Sequence, residues 1–92
     1  MDIGVRVGAI YSASPSIVCF LGFGVYQGDF VPPRGPNSET LSFLQIPVPK
    51  ILLDSGEVVY GHQCYFASEY DVKQYLQGKH VVDVDLKDVL GN

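Results

Sequence analysis

Apolar residues occupy every second position at the start of the chain, where Ile3, Val5, Val7, Ala9 and Tyr11 alternate with Asp2, Gly4, Arg6 and Gly8. A period of two places the first set on one face of a β-strand. After the turn-forming Ser12-Ala13-Ser14-Pro15-Ser16 the alternation resumes. Ile17, Cys19, Leu21, Phe23 and Val25 share one face, and Val18, Phe20, Gly22, Gly24 and Tyr26 the other. A five-residue loop over 12–16 sets Tyr11 opposite Ile17, Val7 opposite Leu21 and Val5 opposite Phe23. The odd positions of both strands then line one core face. Val18 and Phe20 make the even face apolar too, which predicts cover by another layer or by another subunit.

Gly28-Asp29 closes that strand. Pro32, Pro33 and Pro36 follow, removing backbone donors and fixing an extended, irregular loop over residues 30–38. Residues 40–46 are expected as a short strand, held to the sheet's margin by Pro47 and Pro49. Residues 50–54 and 57–66 predict a second hairpin around Ser55-Gly56. Its two-residue loop faces Leu53 with Val58 and Ile51 with Tyr60, and puts His62, Cys64 and Phe66 on the same core side. Ser68-Glu69-Tyr70-Asp71 has the form of a capping box and predicts a helix over 69–77 that buries Val72, Tyr75 and Leu76 and ends at Gly78. A last strand follows, with His80, Val82, Val84 and Leu86 on one face and a largely acidic opposite face; residues 87–92 fray or form a turn.

These elements define a mainly β, α+β fold in a single domain over residues 1–92. A strongly bent antiparallel sheet, or a partly open barrel of the SH3-like type, accommodates them with one short helix in the C-terminal half. Gly22, Gly24 and Gly61 are the expected points of bending or bulging.

Composition narrows the function. The chain has 92 residues, 47% hydrophobic and 17% charged, which is too apolar for disorder. Six Lys and Arg against ten Asp and Glu leave a net charge of −4, which argues against non-specific binding to nucleic acid or to an anionic membrane. The start Met1-Asp2-Ile3-Gly4 lacks the basic region of a signal peptide, and the longest apolar run is too short for a bilayer span. The expectation is a soluble, cytoplasmic protein. Cys19 and Cys64 are too few for a disulfide framework and are expected as reduced core thiols.

No phosphate-binding Gly loop and no Cys pair at zinc spacing is present, so neither cofactor nor metal is expected. His62 and Cys64 invite a Cys–His nucleophile reading, but residues two apart on a strand lie roughly 6–7 Å from each other, too far to hydrogen-bond. A non-enzymatic binding protein is the better reading. Arg34, one of two arginines, sits on a proline-stiffened loop, and Tyr26, Phe30, Tyr60, His62 and Tyr65 supply aromatic area. A guanidinium fork with flat rings suits a small anionic, nucleotide-like ligand, held at the seam of a homo-oligomer because a chain this small encloses little volume alone. The alternative is a protein-interaction module in which the same residues meet a host protein.

Two segments, Gly22-Phe23-Gly24-Val25-Tyr26-Gln27-Gly28-Asp29-Phe30-Val31-Pro32-Pro33 and Lys50-Ile51-Leu52-Leu53-Asp54-Ser55-Gly56-Glu57-Val58-Val59-Tyr60-Gly61, resemble short phage-type accessory proteins. The resemblance implies action by binding, blocking or sequestering a host component, within the host cytoplasm. It carries over no catalytic motif and no site residue.

Overall fold

A computed structural model of the chain describes residues 1–35 and 37–90. Pro36, counted above among the stiffening prolines, and residues 91–92 at the expected frayed end lie outside the described residues. The elements are β1 (Arg6–Ala13), β2 (Ile17–Phe30), α1 (Glu39–Phe43), β3 (Val48–Leu53), β4 (Val58–Tyr60), β5 (Tyr65–Ser68), α2 (Glu69–Leu76), β6 (His80–Asp83) and α3 (Leu86–Leu90). One sheet holds the strands in the order β4-β3-β2-β1-β5, with β6 paired to β2. The mainly β, α+β expectation holds, with an unclosed sheet and three short helices where one was expected. All strand pairs are antiparallel except β2 with β6, which is parallel because the chain returns through α2.

The first hairpin is tighter than its sequence suggests. Ser14 N–H donates to the Ile17 carbonyl at 2.8 Å, and Ile17 N–H donates to Ser14 Oγ at 3.1 Å, leaving Pro15 and Ser16 alone at the tip. The expected register is therefore displaced: Val7 lies opposite Gly24, not Leu21, and Ala9 opposite Gly22. Ile10 then lies opposite Phe20, so Leu21 is the extra residue of a β-bulge. Gly22 beside it adopts φ +137°, a backbone region that favours glycine.

The bulge reverses the alternation of β2 half-way along. On one face Val7, Ala9, Tyr26, Ile51, Leu53 and Val59 form a core, with Leu21, Phe66 and Leu86 packed against it. The other face carries Ile10, Val18, Phe20 and Val72, joined by Phe23, Ala67, Leu76 and Val81. Val18 and Phe20 are thus part of a second core under α2, with β6 paired alongside β2, and the cover expected over them comes from the same chain.

Two further expectations are corrected. Residues 40–46 form no strand: α1 and a turn occupy them, with Leu44 N–H on the Thr40 carbonyl and Ile46 N–H on the Leu41 carbonyl, both at 2.9 Å. The second hairpin turns through Asp54-Ser55-Gly56, one residue more than expected, with Leu53 N–H on the Glu57 carbonyl at 2.8 Å and Gly56 at φ +93°. Ile51 accordingly faces Val59, and Val59 takes the core position expected of Val58 and Tyr60.

The helix at α2 is capped as expected, Ser68 Oγ accepting from Asp71 N–H at 3.1 Å, and Val72 is buried; Tyr75 is largely exposed. On β6, Val81 turns inward to the second core while Val82 is exposed, the reverse of the expected face.

Residues 61–64 cross from β4, at one edge of the sheet, to β5, at the other. Fully extended, that connection spans about 18 Å at most. It is shortened by a turn in which Gln63 N–H meets the Tyr60 carbonyl at 2.9 Å. Five strands laid flat separate the outer two by about 19 Å. The sheet must therefore curl, and the glycines show where. A Cβ on Gly24 would fall 2.8 Å from Leu53 Cα, and one on Gly61 would fall 2.9 Å from the Pro49 ring.

Candidate functional site

The connection that stitches the two sheet edges also builds a recess. Gln63 folds back, its Oε1 accepting from Tyr60 N–H at 2.9 Å, and the Cys64 thiol donates to the Tyr60 carbonyl at 3.7 Å. His62 lies between them, its ring 6.3 Å from that of Tyr60. The recess, of about 560 Å³, is walled by Tyr11, Ser12, His62, Gln63, Cys64 and Tyr65. Tyr11 reaches it because the second irregularity of the β1–β2 ladder leaves it without an opposite residue, and its hydroxyl donates to the Val89 carbonyl at 3.2 Å.

Among the described residues no cation or carboxylate lines this recess. Both ring nitrogens of His62 are buried and find no hydrogen-bond partner among the described residues. Burial holds the imidazole below its ordinary pKa, and it pushes the Cys64 thiol up to about 11. At neutral pH the pair is a neutral imidazole beside a protonated thiol that is turned toward a carbonyl. That arrangement does not activate a nucleophile.

Arg34 stands elsewhere. Ser38, buried at the base of its loop, donates from Oγ to the Pro33 carbonyl at 2.9 Å, and its N–H meets the Gly35 carbonyl at 3.1 Å. Arg34, Glu39, Thr40, Phe43 and Leu44 surround a shallow recess of about 360 Å³. The helix beside it, α1, buries none of its residues. Phe43 is 75% exposed, Leu44 56% and Ile46 39%. Arg34 makes no ion pair among the described residues.

Of the six residues singled out from sequence, Tyr60, His62 and Tyr65 come together and the other three do not join them. Tyr26 belongs to the first core, and its hydroxyl donates to Asp29 Oδ1 at 2.6 Å, a bond that raises the tyrosine pKa. Phe30 is half-exposed, with the Lys50 ammonium 4.9 Å from its ring centre. Their partners lie within β2 and β3.

Sequence reasoning missed Arg6, which grips both oxygens of Asp54 at 2.7 Å and reaches Glu69 Oε2 at 3.2 Å. Its partners lie 48 and 63 residues away, so no local pattern marks them. It also missed Phe43 and Leu44, which the strand expected over 40–46 would have placed in the sheet. Among the described residues no three His, Cys, Asp or Glu side chains converge as a metal ion would require, and no helix is long and apolar enough to cross a membrane. Comparisons of the chain with protein-family models, curated proteins and solved structures find no match.

Proposed function

We propose that this is a non-enzymatic binding protein that engages a protein partner through the Arg34 loop and α1. One observation carries the reading: a short helix, none of whose residues is fully buried, holds Phe43, Leu44 and the following Ile46 to solvent beside an arginine that makes no ion pair among the described residues. Contiguous exposed apolar surface of this kind is costly in an isolated domain and marks a contact surface. The partner it suits offers an apolar cleft flanked by a carboxylate, which Arg34 meets with its planar fork. The phage-type resemblance makes a host protein the partner class and the host cytoplasm the setting. The protonated Cys64 thiol beside a neutral His62 supports a role without catalysis.

A nucleotide-like anion at a subunit seam has less support. Val18 and Phe20, which suggested the seam, are covered within the chain, and among the described residues the aromatic recess at His62 has no cation in its wall.

The test is differential capture from host extract. A partner retained by the wild type and lost from both Arg34→Ala and a Phe43→Ser/Leu44→Ser variant, at unchanged melting temperature, supports the reading. Arg34→Ala should weaken such a complex by about 1.5–3 kcal/mol, and Arg34→Lys should recover only part of that. Retention by all variants alike overturns it. Sedimentation of the protein alone separates a second copy on this face from a foreign partner. A nucleotide that raises the melting temperature would restore the small-ligand reading.

A further inference from the structure

The sheet order ends at β5, and among the described residues no strand pairs with its outer edge. The chain passes from β5 straight into α2, which packs Val72 so closely over β1 that a Cβ on Gly8 would lie 2.7 Å from Val72 Cγ1. Between strand and helix runs a groove of about 300 Å³. Its floor is apolar: Ile10, Ala67 and Val72. Tyr65 and Tyr75 form its walls, 72% and 42% exposed. Phe66 lines it as well, and because its side chain packs into the core on the opposite face, main chain is what it presents to the groove.

Asp71 is the one charged residue among the described residues that line it, and the Lys79 ammonium lies 4.4 Å from the ring centre of Tyr75 in its wall. Its N–H is taken by the Ser68 cap, while its carboxylate makes no hydrogen bond or ion pair among the described residues. Its neighbour Glu69 differs, being held by Arg6 and Lys73.

We propose that this groove takes an extended, basic peptide segment. The segment pairs with the outer edge of β5, sets an apolar side chain between Tyr65 and Tyr75, and brings a lysine or arginine to Asp71. Three independent features select that occupant. An unpaired strand edge offers main-chain hydrogen bonds to an extended chain and not to a helix. A narrow apolar slot with aromatic walls takes one side chain. A lone carboxylate, in a protein whose net charge is −4, attracts a cation. The surface is separate from the Arg34 face, whose partner carries the opposite charge.

The probe is the blocked peptide acetyl-Lys-Val-Phe-Val-Lys-amide, titrated into the isotope-labelled full chain, with its Glu-for-Lys counterpart as control. Amide shifts confined to β5 and the first turn of α2, with slowed hydrogen exchange along β5, are expected for the lysine peptide alone. Asp71→Asn should weaken it by about two- to fivefold, the range that an exposed ion pair supplies. Tyr75→Ala should weaken it further without lowering the melting temperature. Millimolar peptide without shifts in β5 overturns the proposal. So does equal binding of the glutamate peptide, or shifts confined to α1. Concentration-dependent pairing of β5 with a second copy in the absence of peptide also overturns it, by giving the edge a different occupant.

Discussion

Two buried imidazole nitrogens without partners among the described residues tie His62 to the pH dependence of the fold. The folded chain favours the neutral ring, so its pKa lies below the ordinary value of about 6.5. The stability tied to that neutral form is fully present above about pH 6.5 and is lost as pH falls through the lowered folded value. Asp54 and Glu69 behave in a separate window. Arg6 holds both carboxyls below their ordinary range, so their contribution is present above roughly pH 4.5 and is lost as pH falls further. Urea unfolding from pH 3 to 8 should therefore show two limbs. His62→Phe keeps a ring without the unpartnered nitrogens and should flatten the limb that begins below about pH 6.5. Arg6→Gln should reduce only the acid limb. A single limb removed by both substitutions would contradict this assignment.

At the scale of elements, α2 is seated by its one fully buried residue. Val72 is buried against a strand whose Gly8 leaves room for it and nothing more. Val72→Ala should cost about 2 kcal/mol, and Gly8→Ala, which crowds a β-branched side chain with little freedom to move, about 1–3 kcal/mol. Combined, the two should cost less than their sum, because the smaller residue vacates the space the new methyl needs. Denaturant midpoints of the four proteins measure that coupling. This helix was legible in the sequence because its signals are local: Ser68 as cap, Val72 and Leu76 at helical spacing, Gly78 after the end. The strands were legible in the same way, through alternation. Their registers were not. One depends on Ser14 tightening a turn and on an extra residue at Leu21, the other on a three-residue turn at Asp54 where two were expected. Helix α1 was misread because it spans only five residues and none of them is fully buried, so no amphipathic period marks it.

Across the whole molecule, both faces of the sheet are covered by the chain itself. A charge placed in either core therefore has no solvent or interface to escape to. Phe20→Asp should unfold the domain outright, lost tertiary signal accompanying lost secondary structure, and should not merely separate subunits. Far-ultraviolet dichroism with light scattering decides between the two. A folded protein of lower mass would return Phe20 to an interface. The candidate site was only half legible at this scale. Tyr60, His62 and Tyr65 lie close in sequence and stay close in space. Arg34 was joined to them by chemistry alone, and the topology that carries the chain across the sheet at residues 61–64 leaves it in a recess of its own.

The bulge at Leu21 and Gly22 also governs how the chain can change length. Removing Gly22 would leave Leu21 opposite Ala9 and Phe23 opposite Gly8, with every side chain of β2 still directed to its present core. Removing Leu21 would keep the phase as well but would take an apolar side chain from the first core. Removing a residue outside this pair in the middle of β2 would exchange the two faces on one side of the cut and turn buried rings outward. Gly22 is thus the position at which β2 tolerates a deletion in phase without losing a core side chain. The consequence of that deletion would be felt at a distance, since a straighter β2 draws β4 and β5 apart and stretches the short connection that carries His62.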